Sequence, residues 1–274
     1  MLFRSVSYLG YPGTMGAPYM DYILADATVI PENHDAFYAE RVVRLPGTYQ
    51  INDNRRAISQ RTLSRGECGL PQNAFVFCCF NNPQKITPEI FDIWMRLLRA
   101  TEGSVLWLFA GNAKAATNLR LEAGKRGVAP ERLIFAPKAS VADHLARHRL
   151  ADLCLDTLPY NAHTTASDAL WAGLPVLTCL GETFAGRVAA SLLEAIGLDA
   201  LITQTLAEYE ALALRLAGDP AYLAALKDRL IRNRDGSLLF DTQSATHHIE
   251  IAYQTMADIA RRNEKPRSFK LERA

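Results

Sequence analysis

The sequence predicts an α/β fold in which helices cover a doubly wound parallel sheet. From residue 75 onward, short apolar runs alternate with amphipathic segments of helical length. The runs are apolar throughout, which is typical of strands that are buried on both faces. Folds of this kind bind ligands beyond the carboxyl ends of their strands, so the loops that follow strands are the places to look for functional residues.

The predicted strands of this sheet are residues 75–80, 104–109, 132–135, 152–156 and 175–179. The first is followed by Thr-Pro-Glu at 87–89, which combines an N-cap residue, a first-turn proline and an acidic side chain. Apolar residues then recur at helical spacing from Ile90 to Leu98. After about residue 200 the sequence predicts helices without further strands, over 206–217, 220–232 and 242–262, and a polar, frayed end.

Residues 1–60 have a different organisation. A turn-rich loop at 10–16 precedes one predicted strand at 21–26 and another short element at 40–46, with no complete fold around them. We interpret residues 1–60 as the last piece of another domain, an incomplete N-terminal segment. Residues 61–240 are the predicted main domain, and residues 241–274 are a C-terminal helix with a polar tail.

Composition limits the possible functions. The chain has 274 residues, of which 49% are hydrophobic and 22% charged, enough for one large domain and an appendage. The net charge is +1, so no global field would attract nucleic acid or an anionic membrane, and neither is a predicted partner. Any anion binding must therefore be local.

The cysteines and the N-terminus bear on the compartment. Four of the five cysteines lie inside apolar runs without C-x-x-C spacing, which predicts reduced core residues. The N-terminal nine residues are too short and too interrupted for a signal-peptide apolar region, and no apolar run approaches the roughly 20 residues that cross a bilayer. We expect a cytoplasmic protein.

The segment from Leu155 to Asp168 is the strongest candidate site. An apolar strand runs into a proline-broken loop that delivers His163, Thr164 and Thr165 to the start of a helix. Such a start offers unpaired N–H groups, the positive end of the helix dipole and hydroxyl groups, which together can hold a phosphate without a metal. The alternative is an N-cap triplet that only starts the helix, with Asp168 favouring the helix dipole.

Several motifs occur in order along most of the chain. They are Gly-Tyr-Pro-Gly-Thr-Met-Gly at 10–16, Val-Leu-Trp-Leu at 105–108, Leu-Ala-Asp-Leu-Cys-Leu-Asp-Thr at 150–157, His-Thr-Thr at 163–165, Leu-Trp-Ala-Gly at 170–173, Gly-Glu-Thr at 181–183 and Arg-Val-Ala-Ala-Ser at 187–191. Together they resemble the catalytic region of the O-linked N-acetylglucosamine transferase family, bacterial homologues included. The resemblance is more specific than any one of these motifs.

This resemblance implies a two-domain B-type glycosyltransferase whose Rossmann-like C-terminal lobe binds UDP-N-acetylglucosamine. It implies an enzyme that transfers the sugar, with inversion, to Ser or Thr of a polypeptide acceptor. Family members also carry tetratricopeptide repeats and a complete first lobe. We expect a lobe of this kind, with its repeats, to be a partner that lies outside this chain. A non-catalytic nucleotide-sugar-binding module, a truncated gene fragment, and another B-type transferase or epimerase remain open, as does the choice between N-acetylglucosamine and glucose.

The resemblance also implies roles for individual residues. It assigns Lys85 as the catalytic cation on the UDP diphosphate, and the alternative is a solvated surface lysine. The remaining implied ligands are Asn82 as a weaker candidate, His163, Thr164 and Thr165 on the phosphates, Asp168 on the ribose, His144, Arg147 and the Ala139 backbone around the uridine, and Gly13 and Thr14 near the sugar. Gly13 has the alternative of a plain tight turn.

Some neighbouring positions receive no such role. His148 and Arg149 are expected to be ordinary surface residues, and Val141 stands where the family pattern leads us to expect a lysine near the ribose. The three tryptophans are interpreted as core packing.

No cofactor and no metal are expected. The chain has no Asp-x-Asp pair placed to bring a divalent ion to two phosphates, so Lys85 and the helix that starts at 164 would neutralise them. No Gly-x-Gly-x-x-Gly follows the strand at 75–80, which disfavours a dinucleotide oxidoreductase. His247 and His248 lack a suitably spaced partner for a metal.

Overall fold

Two parallel sheets form the framework of the computed structural model, which describes residues 5–272. The first sheet has the order β1-β2-β3-β10, and the second has the order β6-β5-β4-β7-β8-β9. The strands are β1 (Val6–Ser7), β2 (Tyr22–Asp26), β3 (Arg41–Leu45), β4 (Val76–Cys79), β5 (Val105–Phe109), β6 (Leu133–Ala136), β7 (Leu153–Leu155), β8 (Val176–Cys179), β9 (Ile202–Thr203) and β10 (Phe269–Lys270). The α/β prediction with parallel strands is confirmed. Residues 1–4 and 273–274, the ends of the predicted segments 1–60 and 241–274, lie outside the described range.

Eight α-helices lie within the described residues. They are α1 (Pro88–Ala100), α2 (Ala113–Lys125), α3 (Val141–Arg147), α4 (Thr164–Trp171), α5 (Val188–Ala195), α6 (Leu206–Gly218), α7 (Pro220–Arg234) and α8 (Thr242–Arg261). Helix α1 begins as its sequence predicts, because Thr87 Oγ1 accepts a hydrogen bond from the N–H of Ile90 at 3.4 Å. Over residues 5–272, no helix combines the length and the apolar character that crossing a membrane requires.

The order of the second sheet places its functional edge. Strand β4 lies at the centre, with β5 and β6 on one side and β7, β8 and β9 on the other. After β4 the chain adds β5 and β6 on one side and then returns to add β7 on the other, so the strand order switches between β4 and β7. Open α/β sheets form a ligand crevice at such a switch point. The loops after these strands meet there, since Asn81 Nδ2 donates to Thr157 Oγ1 at 2.9 Å.

The core matches the sequence-based expectation. Trp94 and Trp107 are fully buried, and the half-buried Trp171 packs edge-on against Phe240. Cys78, Cys79, Cys154 and Cys179 are buried free thiols, while Cys68 is half-buried. Large apolar side chains removed from water in this way are the main source of stability in a domain of this size.

The end of the chain differs from its prediction. We expected no strands after residue 200 and a frayed tail, but β9 pairs with β8 and β10 pairs with β3. Phe269 lies opposite Val43 in the ladder and packs edge-on against Tyr22, with ring centroids 6.4 Å apart. A two-residue strand shows no periodicity in the sequence, and a distant partner strand provides its hydrogen bonds.

The predicted elements at 21–26 and 40–46 are strands β2 and β3 of the first sheet. Their partners come from both ends of the described chain, since β1 flanks β2 and β10 flanks β3. Helix α8 covers this sheet, with Ala252 and Met256 in one apolar cluster with Leu24 and Val43. The fold around residues 1–60 is thus completed by residues more than 200 positions away.

A buried carboxylate joins the two sheets. Asp26, at the end of β2, is fully buried and accepts hydrogen bonds from the N–H groups of Val29 (2.9 Å) and Tyr49 (2.8 Å). Its Oδ2 also accepts a hydrogen bond from Ser191 Oγ of α5 at 2.6 Å. Burial raises the pKa of Asp26, and these hydrogen bonds lower it. The carboxylate therefore connects the first sheet to a helix of the second.

Candidate functional site

Lys85 lies at the crevice between β4 and β7. It ends a short 3-10 turn, Pro83–Lys85, directly after β4. Its Nζ donates to the carbonyl oxygen of Asn161 at 2.7 Å and lies 4.0 Å from the centroid of the Tyr160 ring. Partial burial lowers the pKa of Lys85, and the nearby Asp156 raises it. The ammonium group is thus held by the loop after β7.

His163 is the N-cap residue of α4 and belongs to the same cluster. Its ring stacks on Tyr160 with centroids 4.9 Å apart, and Nε2 lies 3.2 Å from the carbonyl oxygen of Ala185. A carbonyl only accepts, so Nε2 carries the proton in this contact. Burial lowers the pKa of His163 to about 4, with a further lowering by Lys85. The imidazole is therefore neutral at pH 7. We call Lys85, Tyr160, Asn161 and His163 the Lys85 cluster.

The start of α4 adds donors next to this cluster. Thr164 and Thr165 occupy the first turn, where a helix leaves its N–H groups without backbone acceptors. Thr164 is exposed, whereas Thr165 is half-buried and its hydroxyl donates to Asn81 Oδ1. Lys85, His163 and Thr165 are therefore brought together by the loops after β4 and β7.

Asp156 orders the loop beneath the Lys85 cluster and was missed in the sequence. It is buried at the end of β7 and accepts hydrogen bonds from the N–H groups of Thr157 (2.7 Å) and Ala162 (2.5 Å) and from Thr178 Oγ1 (2.7 Å). Burial raises its pKa to about 6, although the hydrogen bonds and Lys85 lower it. The sequence signal that could have identified Asp156 is an acidic residue directly after an apolar strand.

His144 and Arg147 share one face of α3, as their spacing predicts. The His144 ring lies 5.3 Å from the Phe80 ring, and the Arg147 guanidinium lies 4.7 Å from the same ring. Arg147 Nη1 also donates to the carbonyl oxygen of Pro137 at 2.6 Å, in the loop before α3. Burial lowers the pKa of His144 to about 4, with Arg147 lowering it further.

The prediction for His148 was wrong, because this side chain is buried rather than on the surface. Helix α3 ends at Arg147, and a 3-10 turn over His148–Leu150 directs His148 inward. Its ring lies 5.1 Å from Phe80, and Nδ1 lies 2.7 Å from the carbonyl oxygen of His144. Arg149 is exposed, as predicted. We call Phe80, His144, Arg147 and His148 the Phe80 cluster.

Two predicted loop residues lie at the surface beside these clusters. Asn82 is exposed and caps the turn before Lys85, with Oδ1 3.5 Å from the N–H of Gln84. Ala139 is exposed in the loop between β6 and α3, two residues after Pro137, which Arg147 contacts. Val141 is also exposed, at 64%.

Asp168 has a partner that the sequence did not reveal. Its carboxylate forms an ion pair with Arg56, which lies in the long loop between β3 and β4. Burial raises the pKa of Asp168, and Arg56 lowers it. The backbone of Arg56 is held in place, since its carbonyl oxygen accepts a hydrogen bond from Trp171 Nε1 at 3.1 Å.

The loop with Gly13 and Thr14 is held by a contact with Glu40. Burial raises the pKa of Tyr160 in the Lys85 cluster, and Tyr11 of this loop raises it further. The hydroxyl of Thr14 donates to Glu40 Oε2 at 2.6 Å. The structure therefore engages the Thr14 side chain in holding the loop itself.

Comparison with known proteins identifies the family. The profile of glycosyl transferase family 41 matches residues 4–62 and 57–249. The chain belongs to this family. The resemblance to O-linked N-acetylglucosamine transferases noted in the sequence is thereby confirmed.

Individual family members agree with this assignment. A probable UDP-N-acetylglucosamine–peptide N-acetylglucosaminyltransferase of Arabidopsis thaliana, SEC, is 38% identical over 97% of this chain. A Caenorhabditis elegans enzyme with the same activity in its name is 38% identical over 68% of the chain. The chain spans 28% and 16% of these relatives, respectively.

Solved structures extend the comparison to the fold. A mutant O-GlcNAc transferase of Thermobaculum terrenum superimposes with a TM-score of 0.84 at 35% identity, over 92% of this chain and 48% of that one. A sucrose-phosphate synthase from Thermosynechococcus elongatus matches 87% of this chain and 59% of its own with a TM-score of 0.60 at 13% identity, which shows a common fold alone.

Proposed function

We propose that this chain forms the donor-binding part of a glycosyltransferase that transfers N-acetylglucosamine from UDP-N-acetylglucosamine to Ser or Thr of a polypeptide. Membership of family 41 and the names of the relatives support the reaction. We further propose that residues 61–240 form the donor lobe and that the missing part of the first lobe, with its repeats, supplies the acceptor side. A cytoplasmic location is part of this proposal.

One observation carries the proposal: a cation and a helix start meet at the crevice between β4 and β7. The ammonium group of Lys85 and the first turn of α4 contact the same loop, residues 157–163. A diphosphate bound there would face a positive side chain and unpaired N–H groups together. Charge that develops on the leaving UDP would be stabilised by Lys85, which is the role of an electrostatic catalyst.

The rest of the nucleotide would follow the edge of the sheet in both directions. The phosphates would contact His163, Thr164 and Thr165, and the ribose hydroxyl groups would donate to Asp168. The uracil would lie near the Phe80 cluster, with His144, Arg147 and the Ala139 backbone reading its edge. Asn82 would lie close to the phosphates, and Gly13 and Thr14 would approach the sugar from the first sheet.

We propose that this chemistry is independent of metal. Across residues 5–272 there is no group of three His, Cys, Asp or Glu side chains that could hold a metal ion. Lys85 and the helix dipole of α4 would then balance the diphosphate charge.

Calorimetry with UDP tests the proposal directly. We expect micromolar to millimolar affinity, or roughly −8 to −4 kcal/mol, unchanged by EDTA. GDP and ADP are matched competitors with the same diphosphate, and they should bind more weakly if the loop near Ala139 reads uracil. Folded protein that shows no UDP binding would refute the proposal.

A second experiment separates the enzyme from a non-catalytic binding module. The chain, alone and supplemented with the first lobe and repeats of a family 41 relative, would be incubated with Ser/Thr peptides and either UDP-N-acetylglucosamine or UDP-glucose. Peptide mass and released UDP identify the sugar that is transferred. Donor binding without any transfer in either preparation would favour the binding module.

A further inference from the structure

Arg56 occupies an unusual position for a loop residue. It lies between β3 and β4, in the segment that connects the two sheets, yet its side chain is only 18% exposed. The guanidinium Nη1 contacts Asp168 Oδ1, and the Asp168 side chain is itself only 13% exposed. The ion pair is therefore largely shielded from solvent, where a charge interaction is screened less than at the surface.

The other nitrogens of the guanidinium have no competing acceptor. Nε and Nη2 of Arg56 are buried and make no hydrogen bond with any described residue. Asp168 is therefore the group to which the positive charge of Arg56 is directed. An arginine can hold one carboxylate oxygen while the second oxygen stays available to another donor.

Other charged or titratable side chains near α4 contact different groups. His144 and Arg147 of α3 lie against Phe80, Glu194 of α5 contacts Thr28, Arg234 of α7 lies against Trp171, and Cys179 of β8 is buried. Arg56 is thus the cation that acts on Asp168 within the part of the chain that the structure describes.

We propose that Arg56 is a positioning residue of the donor site, which holds Asp168 as an oriented carboxylate for the hydroxyl groups of the ribose. This inference rests on the proposed function, in which Asp168 binds the ribose. It gives the long inter-sheet loop a role in donor binding. The carboxylate accepts from ribose, whereas a protonated carboxyl group would lose most of that capacity.

The proposal has a signature in the pH dependence of binding. Burial raises the pKa of Asp168 above its ordinary value, and Arg56 limits this rise. Without Arg56, the carboxyl group would take up a proton at higher pH and bind ribose more weakly as the pH falls. Each pH unit below the new pKa would then cost about tenfold in affinity.

The experiment measures UDP-N-acetylglucosamine affinity between pH 8 and pH 5.5, a range in which the diphosphate diester of the donor does not titrate. The variants are Arg56→Met, which keeps the aliphatic stem, Arg56→Lys, which keeps the charge, and Asp168→Asn, which cannot ionise. Arg55→Met removes the exposed neighbouring arginine and serves as the matched control. A thermal unfolding curve verifies that each variant folds, and Arg56→Gln replaces Arg56→Met if the latter does not.

We expect flat profiles for the unmodified chain and for Arg55→Met. Arg56→Met should lose tenfold or more in donor affinity between pH 8 and pH 5.5. Arg56→Lys should restore most of the flat profile. Asp168→Asn should bind the donor weakly but independently of pH. An Arg56→Met profile parallel to that of the unmodified chain would overturn the inference, even if its affinity were lower throughout. An unmodified chain that fails to bind the donor at any pH would instead refute the proposed function.

Discussion

At the scale of single residues, Lys85 is the side chain on which the proposed chemistry depends most. Its ammonium lies 2.7 Å from the Asn161 carbonyl oxygen, within reach of an anion at the crevice. We predict that Lys85→Met weakens UDP binding by about 1.5–3 kcal/mol, the value of a charged hydrogen bond, and leaves uridine binding nearly unchanged. Calorimetry with both ligands measures the difference.

Lys125→Met is the control for this prediction. Lys125 is an exposed cation at the end of α2, and its contact is an ion pair with Glu122 on the same helix. Equal losses of UDP and uridine affinity in Lys85→Met would contradict a contact with the diphosphate.

The burial of His148 leads to a prediction about stability rather than about binding. Burial lowers its pKa to about 3, so the folded protein keeps it neutral while the unfolded chain takes up a proton near pH 6.5. The unfolded state therefore binds more protons in between, and the free energy of unfolding falls as the pH falls. We predict that His148→Gln reduces this loss by about 1 kcal/mol between pH 7 and pH 5.5.

Urea denaturation at the two pH values tests this prediction. The substitution will lower stability at both pH values because the ring packs against Phe80, so only the difference between them is informative. His247→Gln is the control, since that side chain is exposed on α8. If His148→Gln loses as much unfolding free energy between pH 7 and pH 5.5 as the unmodified chain, His148 is protonated in the folded state.

At the scale of elements, strand β10 closes the first sheet although it has only two residues. Besides the ladder with β3, Ser268 Oγ accepts a hydrogen bond from the N–H of Val42 at 3.0 Å. We predict that Phe269→Ala costs about 1–2 kcal/mol, less than a fully buried phenylalanine, because its ring is only half-buried. Hydrogen exchange at Val42 and Arg44, whose backbone faces β10, should accelerate.

Lys270→Ala on the same strand is the control, because the Lys270 side chain is exposed. UDP affinity should stay the same in both variants, since the strand lies in the first sheet, away from the β4 and β7 loops. Unchanged exchange at Arg44 in Phe269→Ala would show that the ladder hydrogen bonds alone hold β10.

At the scale of the whole molecule, Asp26 holds the two sheets together. Asp26→Ala would leave the N–H groups of Val29 and Tyr49 buried without an acceptor and would break the contact with Ser191. We predict a loss of about 2–4 kcal/mol, measured by urea denaturation. Ser191→Ala should cost about 1 kcal/mol, because it removes one donor and leaves the rest of the network in place.

The substitution should also disturb donor binding, since in the proposed function Gly13 and Thr14 approach the sugar from the first sheet. We expect Asp26→Ala to weaken UDP binding slightly at a temperature where the protein is fully folded. Loss of stability of less than 1 kcal/mol would mean that water replaces the carboxylate at little cost.

The sequence by itself determined the class of fold, the main strands and the candidate site near His163. Apolar runs such as 75–80 and 152–156 carry their information locally, because burial on both faces requires an unbroken apolar run. The same holds for Thr87 and the start of α1, since an N-cap acts on its own helix. Family-specific motifs further indicated residues such as Lys85, whose roles remain predictions.

Only the tertiary structure decided which distant residues meet. Strand β10 has two residues and finds its partner β3 from the far end of the chain, and the ion pair of Arg56 with Asp168 joins positions that no short-range pattern relates. His148 is buried because a 3-10 turn changes the direction in which its side chain points. Contacts of this kind arise from packing among elements, and packing depends on the whole chain rather than on any local window.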